Sequence, residues 1–421
     1  MVRKGRFDIP GFRPLTLDER EPGKGSGLGF VLAVYAASRL LYLVCGPILA
    51  RVVPTSAFQR VTLDVPSGSM NIWSHWDGEH YVTLALGGYL TPPHDVSPAF
   101  FPMYPLLVRS FAELFGGPVS LETLSVWAPL LSLLFLPFAL YFLFQIALEG
   151  WGERVARGTV LCLALFPTTF FLNAAYTESL FLALSAGSLW AMRVRKDLLL
   201  ACVLAGFASA TRNVGVFLLV PLFLEWIKGG GLEAGRERWR GAYLALVPVG
   251  LFAYMGYLWL RFGDPFLFYS AQRDWGRQAT GPLATVGRAW ASAVEGVGRL
   301  LDSGLWADPT PGNLANHLAG AVNFFNLAFF VFAVVVLIAG SRDLPPSLTL
   351  YGLLLIAPAT LFGTPQSPLM GTPRYVLVAF PIFIVLGLLL RNKLLFGGWL
   401  VLSALASLLL CALFVSWRFI A

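Results

Sequence analysis

The sequence predicts an all-α integral membrane protein with about eleven transmembrane helices. Of its 421 residues, 57% are hydrophobic and 13% are charged, and that charged fraction is about half of what a soluble domain carries. The mean hydropathy is +0.70, and long apolar runs recur along the whole chain. Because a membrane helix needs about 20 apolar residues, the length leaves room for many spans and for sizeable connecting segments.

The net charge and the cysteines argue against a nucleic-acid-binding protein and against a disulfide-linked or cysteine-ligated metal protein. We interpret the net charge of +7 as loop lysines and arginines that face anionic lipid, and no nucleic-acid partner is expected. The four cysteines contain no CxxC pair and fall inside apolar runs, so we interpret them as small core residues rather than disulfides or metal ligands. They are Cys45, Cys162, Cys202 and Cys411.

The chain begins with a basic tail, residues 1–27, whose cations alternate with prolines and glycines. We expect this tail to be cytoplasmic, and the apolar run behind it is too long for a signal peptide. Residues 28–421 are expected to form a single transmembrane domain. Its predicted spans are 28–50, 121–148, 155–172, 176–192, 198–211, 213–227, 242–260, 317–340, 347–362, 375–390 and 395–417.

Two of these spans are separated only by Arg212. The runs 198–211 and 213–227 would make one long helix if Thr211-Arg212-Asn213 did not interrupt them. Since a charged residue at mid-membrane is costly, we predict two short spans that meet at one membrane face.

The distribution of cations predicts the orientation. With the N-terminus in the cytoplasm and 100–115 lying on the outer surface, eighteen of the 30 lysines and arginines fall in short cytoplasmic segments, as the positive-inside rule expects. The C-terminus is then outside. Two long outer segments result, 51–120 and 261–316.

The first outer segment carries the densest polar motif of the chain, Ser74-His75-Trp76-Asp77-Gly78-Glu79-His80-Tyr81. Over 78–89, apolar residues at helical spacing predict an interfacial helix, and 100–115 predicts a second one. The other outer segment mixes Trp275, Trp290 and Trp306 with four arginines, which suits lipid headgroups or sugars.

These motifs resemble a known family. Trp76-Asp77, followed by His80-Tyr81 and Gly88-Tyr89, is similar to the pattern of the polytopic GT-C glycosyltransferases, specifically the PIG-V-like GPI mannosyltransferases and their prokaryotic relatives. Further matches, in the same order along the chain, are Phe101-Pro102-Met103-Tyr104-Pro105, Tyr176-Thr177-Glu178-Ser179-Leu180-Phe181, Ser209-Ala210-Thr211-Arg212 and Pro373-Arg374-Tyr375.

The resemblance implies a GT-C-type helical bundle and the transfer of a sugar, mannose by analogy, from a polyprenyl- or dolichyl-phosphate donor. The acceptor would be a hydroxyl of a glycolipid or lipid-linked glycan on the outer face, attacked with inversion at the sugar carbon. No cofactor is implied. The expected location is a prokaryotic plasma membrane, or the endoplasmic reticulum if the organism is eukaryotic.

Asp77 is the candidate catalytic base. Transfer from a phosphate leaving group needs a group that takes the proton of the attacking hydroxyl, and a carboxylate within hydrogen-bond reach suffices. The structural alternative is that Asp77 caps the N-terminus of the helix that follows it.

The neighbours of Asp77 are candidate substrate contacts. Trp76, Tyr81 and Tyr104 are close enough to the motif to stack on a sugar. His80 would help to orient the acceptor or the base, and Glu79 is a further candidate substrate contact. His75, Asp77 and Glu79 alternate, so a divalent-metal site stays open, although hydrogen-bonding or solvated side chains fit the spacing better.

Charged residues elsewhere are expected at the same face. Arg212 and Arg374, the latter beside Tyr375, are candidate phosphate ligands, because a guanidinium donates paired hydrogen bonds to phosphate; snorkelling to the interface is the alternative. Glu178 is a candidate contact to a substrate hydroxyl, or a carboxylate that stabilises a helix N-terminus. Arg39, inside the first span, is costly unless paired and would be structural.

Two other functions share this composition. A polytopic lipid or sugar transporter would place paired broken helices around a site at the membrane midplane, whereas the acidic cluster here lies in an outer segment. A non-catalytic subunit of a membrane assembly would tolerate replacement of Asp77 and Arg212.

Overall fold

The computed structural model describes residues 27–56, 71–89, 96–116, 118–233 and 235–420, almost entirely as helices. The α-helices are α1 Leu28–Val52, α2 Asp77–Gly87, α3 Met103–Phe115, α4 Leu121–Trp151, α5 Glu153–Ala164, α6 Glu178–Arg193, α7 Leu198–Thr211, α8 Leu219–Lys228, α9 Arg236–Arg240, α10 Val249–Phe262, α11 Leu267–Ser270, α12 Pro282–Leu300, α13 Ser303–Ala307, α14 Pro311–Gly320, α15 Val322–Gly340, α16 Pro346–Ile356, α17 Pro358–Leu361, α18 Thr372–Val378, α19 Pro381–Leu389 and α20 Lys393–Val415. The basic tail 1–27 lies outside the described residues except for Gly27.

Shorter elements connect these helices. The 3₁₀ turns are Asn71–Ser74, Ser97–Ala99, Thr169–Leu172, Asn213–Leu218, Gly241–Leu246 and Ala271–Trp275. One antiparallel strand pair joins β1 Gln278–Ala279 to β2 Phe362–Gly363, with Gln278 opposite Gly363.

Five helical stretches of the described chain are long and apolar enough to cross a membrane: α1, α4, Arg238–Phe262, α15 and α20. The pair α18 and α19 passes the same test together, although the chain bends by 75° between them. Other predicted spans contain shorter or broken helices; the run 155–172, for example, is α5 followed by a 3₁₀ turn. The all-α membrane class is confirmed, and the number of eleven spans stays a prediction.

The core surrounds α6, whose side chains are almost all buried between α4 and α7. Small residues let neighbouring helices approach closely, as is common in membrane proteins. A Cβ atom on Gly250 of α10 would lie 2.2 Å from the carbonyl oxygen of Gly206 in α7. Any larger residue at Gly250 would therefore push these two helices apart.

An irregular stretch interrupts the bundle between α5 and α6, and Arg39 of α1 stabilises it. The Arg39 guanidinium donates to the carbonyl oxygens of Ala164 and Thr169 at 3.0 and 3.1 Å, and to Asn173 Oδ1 at 2.6 Å. Within the described chain Arg39 has no carboxylate partner. Because broken backbone at membrane depth must find hydrogen-bond partners inside the protein, Arg39 acts as the structural group that permits this break.

The two predicted interfacial helices are present as α2 and α3, with shifted ends. Helix α2 stops at Gly87, because Gly88 adopts φ 70°, ψ −163°, a conformation that favours glycine. Helix α3 begins at Met103, and Leu114 and Phe115 at its end are 72% and 67% exposed. The segment 261–316, predicted only as a loop, is largely helical and contains α11 to α14.

Candidate active site

Asp77 is the first residue of α2, and the residue before it holds a strained backbone. Trp76 adopts φ 59°, ψ −123°, a region that costs roughly 1–3 kcal/mol for a non-glycine residue and persists only where the surroundings enforce it. The Tyr176 hydroxyl accepts from the Asp77 amide and donates to the His75 carbonyl oxygen, both at 3.2 Å. The Trp76 ring lies 5.7 Å from that of Trp417. These contacts hold the turn in which Asp77 sits.

The Asp77 carboxylate is paired with Arg374 and remains accessible. Its Oδ2 accepts from Arg374 Nη1 at 2.5 Å, and 25% of the Asp77 side chain is exposed. Burial raises the pKa of Asp77, but the charge and hydrogen bond of Arg374 outweigh it, so the pKa lies below that of an ordinary aspartate. The carboxylate is therefore ionised at neutral pH.

Glu178, the first residue of α6, is a second carboxylate with no exposed surface. Its Oε1 accepts from Arg374 Nε at 2.7 Å and from Arg212 Nη1 at 2.9 Å. Arg374 therefore bridges the accessible Asp77 and the buried Glu178, and its guanidinium lies 4.5 Å from the centre of the Tyr176 ring. A buried ion pair needs this dense set of partners to offset its desolvation.

Arg212 reaches this cluster because the chain breaks at that residue, as predicted. Helix α7 ends at Thr211, and Arg212 is extended, with φ −151° and ψ 141°. Its Nη1 also contacts Thr177 Oγ1 at 3.3 Å. The guanidinium is thus held mainly by Glu178.

A cavity of about 410 Å³ opens in front of these groups. Asp77, Tyr81, Arg212, Arg374 and Tyr375 line it together with groups that the sequence did not single out as site residues, namely Asn213, Gln272, Trp275, Arg277 and Met370. Arg277 Nη1 lies 3.4 Å from the Tyr375 hydroxyl. For the lining residues Gln272, Trp275 and Arg277, the only signal in the sequence was the mixture of tryptophan and arginine in 261–316.

The rest of the motif packs behind the cavity. The His80 ring stacks on Phe100 at 4.7 Å and meets Trp275 edge-on at 5.5 Å, while neither His80, Glu79 nor Trp76 lines the cavity. His75 stacks on Trp417 at 4.1 Å, and burial lowers its pKa to about 4. His75 is therefore neutral near pH 7.

One expectation and one structural alternative are wrong. Tyr104 is not a sugar-stacking residue, because it is fully buried and its hydroxyl bonds to the Ala128 carbonyl oxygen at 2.7 Å. Asp77 does not cap α2, because Trp76 occupies the cap position without a side-chain cap bond, and the Asp77 carboxylate turns to Arg374. Within the described residues, no three His, Cys, Asp or Glu side chains come together as metal ligands.

The sequence around these residues is similar to that of known mannosyltransferases. The sequence profile described as Mannosyltransferase (PIG-V) matches residues 38–222, which include Asp77, Glu178 and Arg212. GPI alpha-1,6-mannosyltransferase 2 of Homo sapiens is 29% identical over 206 residues, which are 44% of this chain and 40% of the human protein.

The fold has a solved counterpart. ArnT from Cupriavidus metallidurans, in its structure bound to undecaprenyl phosphate, superposes with a TM-score of 0.50 at 15% identity, over 90% of this chain and 63% of ArnT. The chain thus spans less than two thirds of either protein. Together with the apolar helices, these similarities confirm that this is a multi-pass membrane protein, PIG-V-like in sequence across residues 38–222 and built on the fold of the GT-C membrane glycosyltransferases.

Proposed function

We propose that the protein is a membrane glycosyltransferase, and specifically a mannosyltransferase, with Asp77 as its catalytic base. The proposal rests on the Asp77 carboxylate. Its ion pair with Arg374 keeps it deprotonated, and it is exposed to a cavity of about 410 Å³. PIG-V-like sequence around this residue supports mannose as the sugar.

In the proposed reaction, the acceptor hydroxyl oxygen attacks the anomeric carbon of the donor from the face opposite the phosphate. The new carbon–oxygen bond forms as the bond to the phosphate oxygen breaks, so the configuration inverts. The hydroxyl proton passes to Asp77, and the phosphate leaves with the bonding electron pair. Carboxylates within hydrogen-bond reach of the proton perform this role in general base catalysis.

The proposed donor is a sugar on a polyprenyl or dolichyl phosphate. The lining of the cavity includes the aliphatic side chains of Val214, Val216 and Leu361, which suit an isoprenoid chain. Arg212 and Arg374 also line it, where they would stabilise charge that develops on the leaving phosphate. ArnT, which shares the fold, was solved bound to undecaprenyl phosphate, a lipid of this class.

The other residues are proposed in supporting roles. Tyr375 and Tyr81 line the cavity and would contact the sugar or phosphate. Glu178 acts through the arginines rather than on substrate, because it has no exposed surface. Trp76, Glu79 and His80 would shape the α2 turn behind the cavity.

The orientation that we propose for the protein in the membrane rests on the distribution of its lysines and arginines. With residues 1–27 in the cytoplasm and 28–421 as one transmembrane domain, the cavity opens at the outer face, where 51–120 and 261–316 also lie. The membrane is a plasma membrane in a prokaryote or the endoplasmic reticulum in a eukaryote. The acceptor is a glycolipid or lipid-linked glycan.

The test uses purified full-length protein in lipid nanodiscs with polyprenyl-phosphate mannose and octyl α-mannoside as the acceptor probe. Wild type should form a dimannoside, whereas Asp77→Asn should lose at least about a thousandfold in rate, because the amide takes no proton. Glu113→Gln removes an exposed carboxylate of α3 and should transfer normally. An Asp77→Asn variant with near-normal rate refutes the base, and donor movement across the membrane of proteoliposomes without transfer points to a transporter.

A further inference from the structure

A second cavity adjoins the one that contains Asp77. It has a volume of about 390 Å³ and shares Tyr269, Gln272, Arg277 and Phe362 as a common wall with the first. The strand pair ties this wall together, with Gln278 opposite Gly363 and the Thr280 amide donating to the Leu361 carbonyl oxygen at 2.9 Å. Residues from 269–279 and 362 thus line a partly open cavity beside the proposed catalytic centre.

The two cavities differ in chemistry. The lining of the first includes several aliphatic side chains, but the second has no aliphatic side chain larger than that of Ala279 among its described lining residues. Instead it presents two glutamines, two arginines and two aromatic rings. Glutamine amides donate to and accept from hydroxyl groups, and aromatic faces pack against the apolar face of a sugar ring. This lining suits a polar headgroup rather than a hydrocarbon chain.

The charges of the two cavities also differ. In the first, Arg212 and Arg374 are paired with Glu178 and Asp77. In the second, neither Arg273 nor Arg277 makes an ion pair with a described carboxylate, and no acidic residue lines that cavity in the described chain, although Arg277 is within electrostatic range of Asp77. Two guanidinium groups that make no ion pair within the described chain favour an anion, and their planar forks match phosphate oxygens.

We propose that the second cavity is the acceptor subsite and that it takes a hydroxyl-rich headgroup that carries a phosphate, with Arg273 as the specificity-determining contact to that phosphate. The inference rests on the proposed transferase function. Arg277 lines both cavities, so it would lie between the phosphate of the bound acceptor and the phosphate of the bound donor. An acceptor bound here would direct a hydroxyl past Gln272 toward Asp77.

Three lipid-like probes separate the features of the headgroup: dodecyl α-mannoside, the same mannoside with a 6-phosphate, and dodecyl phosphate. Their binding is measured by native mass spectrometry on the purified full-length protein, without donor. The phosphorylated mannoside should bind about tenfold more tightly than dodecyl α-mannoside, because only it can use the arginines as well as the glutamines. Dodecyl phosphate reports the affinity of the donor phosphate site for a lipid phosphate alone.

The variants then locate the phosphate. Arg273→Gln should remove the preference for the phosphorylated mannoside, and Arg273→Lys should restore part of it. Arg288→Gln is the matched control, since Arg288 is also exposed and in 261–316 but lines neither cavity.

Transfer assays with polyprenyl-phosphate mannose complete the test. The phosphorylated mannoside should be the better acceptor in wild type, and Arg273→Gln should raise its KM about tenfold while the neutral mannoside keeps its KM and kcat. Equal binding of the neutral and phosphorylated mannosides, or a preference that survives in Arg273→Gln, overturns the inference while leaving the transferase intact. Transfer to neither probe refutes the transferase, and with it the acceptor role of the subsite, whatever the binding shows.

Discussion

Arg374 joins Asp77 to the rest of the site through an Nη1–Oδ2 distance of 2.5 Å, across 297 positions of the chain. The same guanidinium donates through Nε to the fully buried Glu178 at 2.7 Å. One arginine thereby keeps the accessible carboxylate ionised and compensates the buried one. Three consequences are open to measurement.

The first prediction concerns the pH dependence of transfer. Arg374 lowers the pKa of Asp77, so wild-type activity should persist to a pH below the usual aspartate range and fall only as Asp77 becomes protonated. Arg374→Gln removes the charge while burial remains, so the acid limb should move up by roughly 1–3 pH units. The measurement is kcat against pH, with Arg109→Gln on exposed α3 as control. If the loss of kcat at low pH occurs at the same pH in Arg374→Gln and in wild type, the group that titrates is not Asp77.

The second prediction concerns the stability of the buried pair. Glu178→Gln leaves Arg212 and Arg374 without their shared carboxylate in the interior, and breaking a buried pair typically costs about 3–5 kcal/mol. Thermal unfolding of the purified protein should show a clearly lower Tm. Glu113→Gln, on an exposed i,i+4 pair, should leave Tm unchanged, because such pairs contribute about 0.3–0.5 kcal/mol. An equal Tm for Glu178→Gln and wild type would contradict the role of Glu178 as a compensating charge.

The third prediction concerns the strained turn before α2. Tyr176→Phe removes the hydroxyl that bonds to both the His75 carbonyl oxygen and the Asp77 amide, so Asp77 should lose its position. We expect kcat to fall about tenfold with KM nearly unchanged, because misplacing a reacting group affects the chemical step.

Tyr104→Phe is the matched control for this variant. It also removes a buried hydroxyl, one that donates to the Ala128 carbonyl oxygen, at a net cost of roughly 1 kcal/mol in stability. If both variants lose stability equally and neither loses kcat, Tyr176 is merely structural.

Much of the architecture was predictable from local sequence. Apolar runs at membrane length indicated the all-α class, and Arg212 marked the break between α7 and the turn that follows, because a charge inside a span is costly. Helix α2 was predicted from periodicity, and α3 was predicted as a second helix on the membrane surface. The helices within 261–316 were missed, since their apolar residues are interleaved with charges and glycines and form no long run.

The candidate site, too, was predicted in part from the sequence and in part only from the structure. The sequence by itself determined that the chain is a membrane protein with a polar motif around Asp77 and arginines beside span ends. Only the tertiary structure decided that Arg374 and Arg212 neutralise Asp77 and Glu178, that Tyr104 is buried, and that Arg273 and Arg277 face a second cavity. The physical reason is that pairing and burial depend on distances between residues far apart in the chain, whereas hydrophobic period and backbone breaks are properties of neighbours.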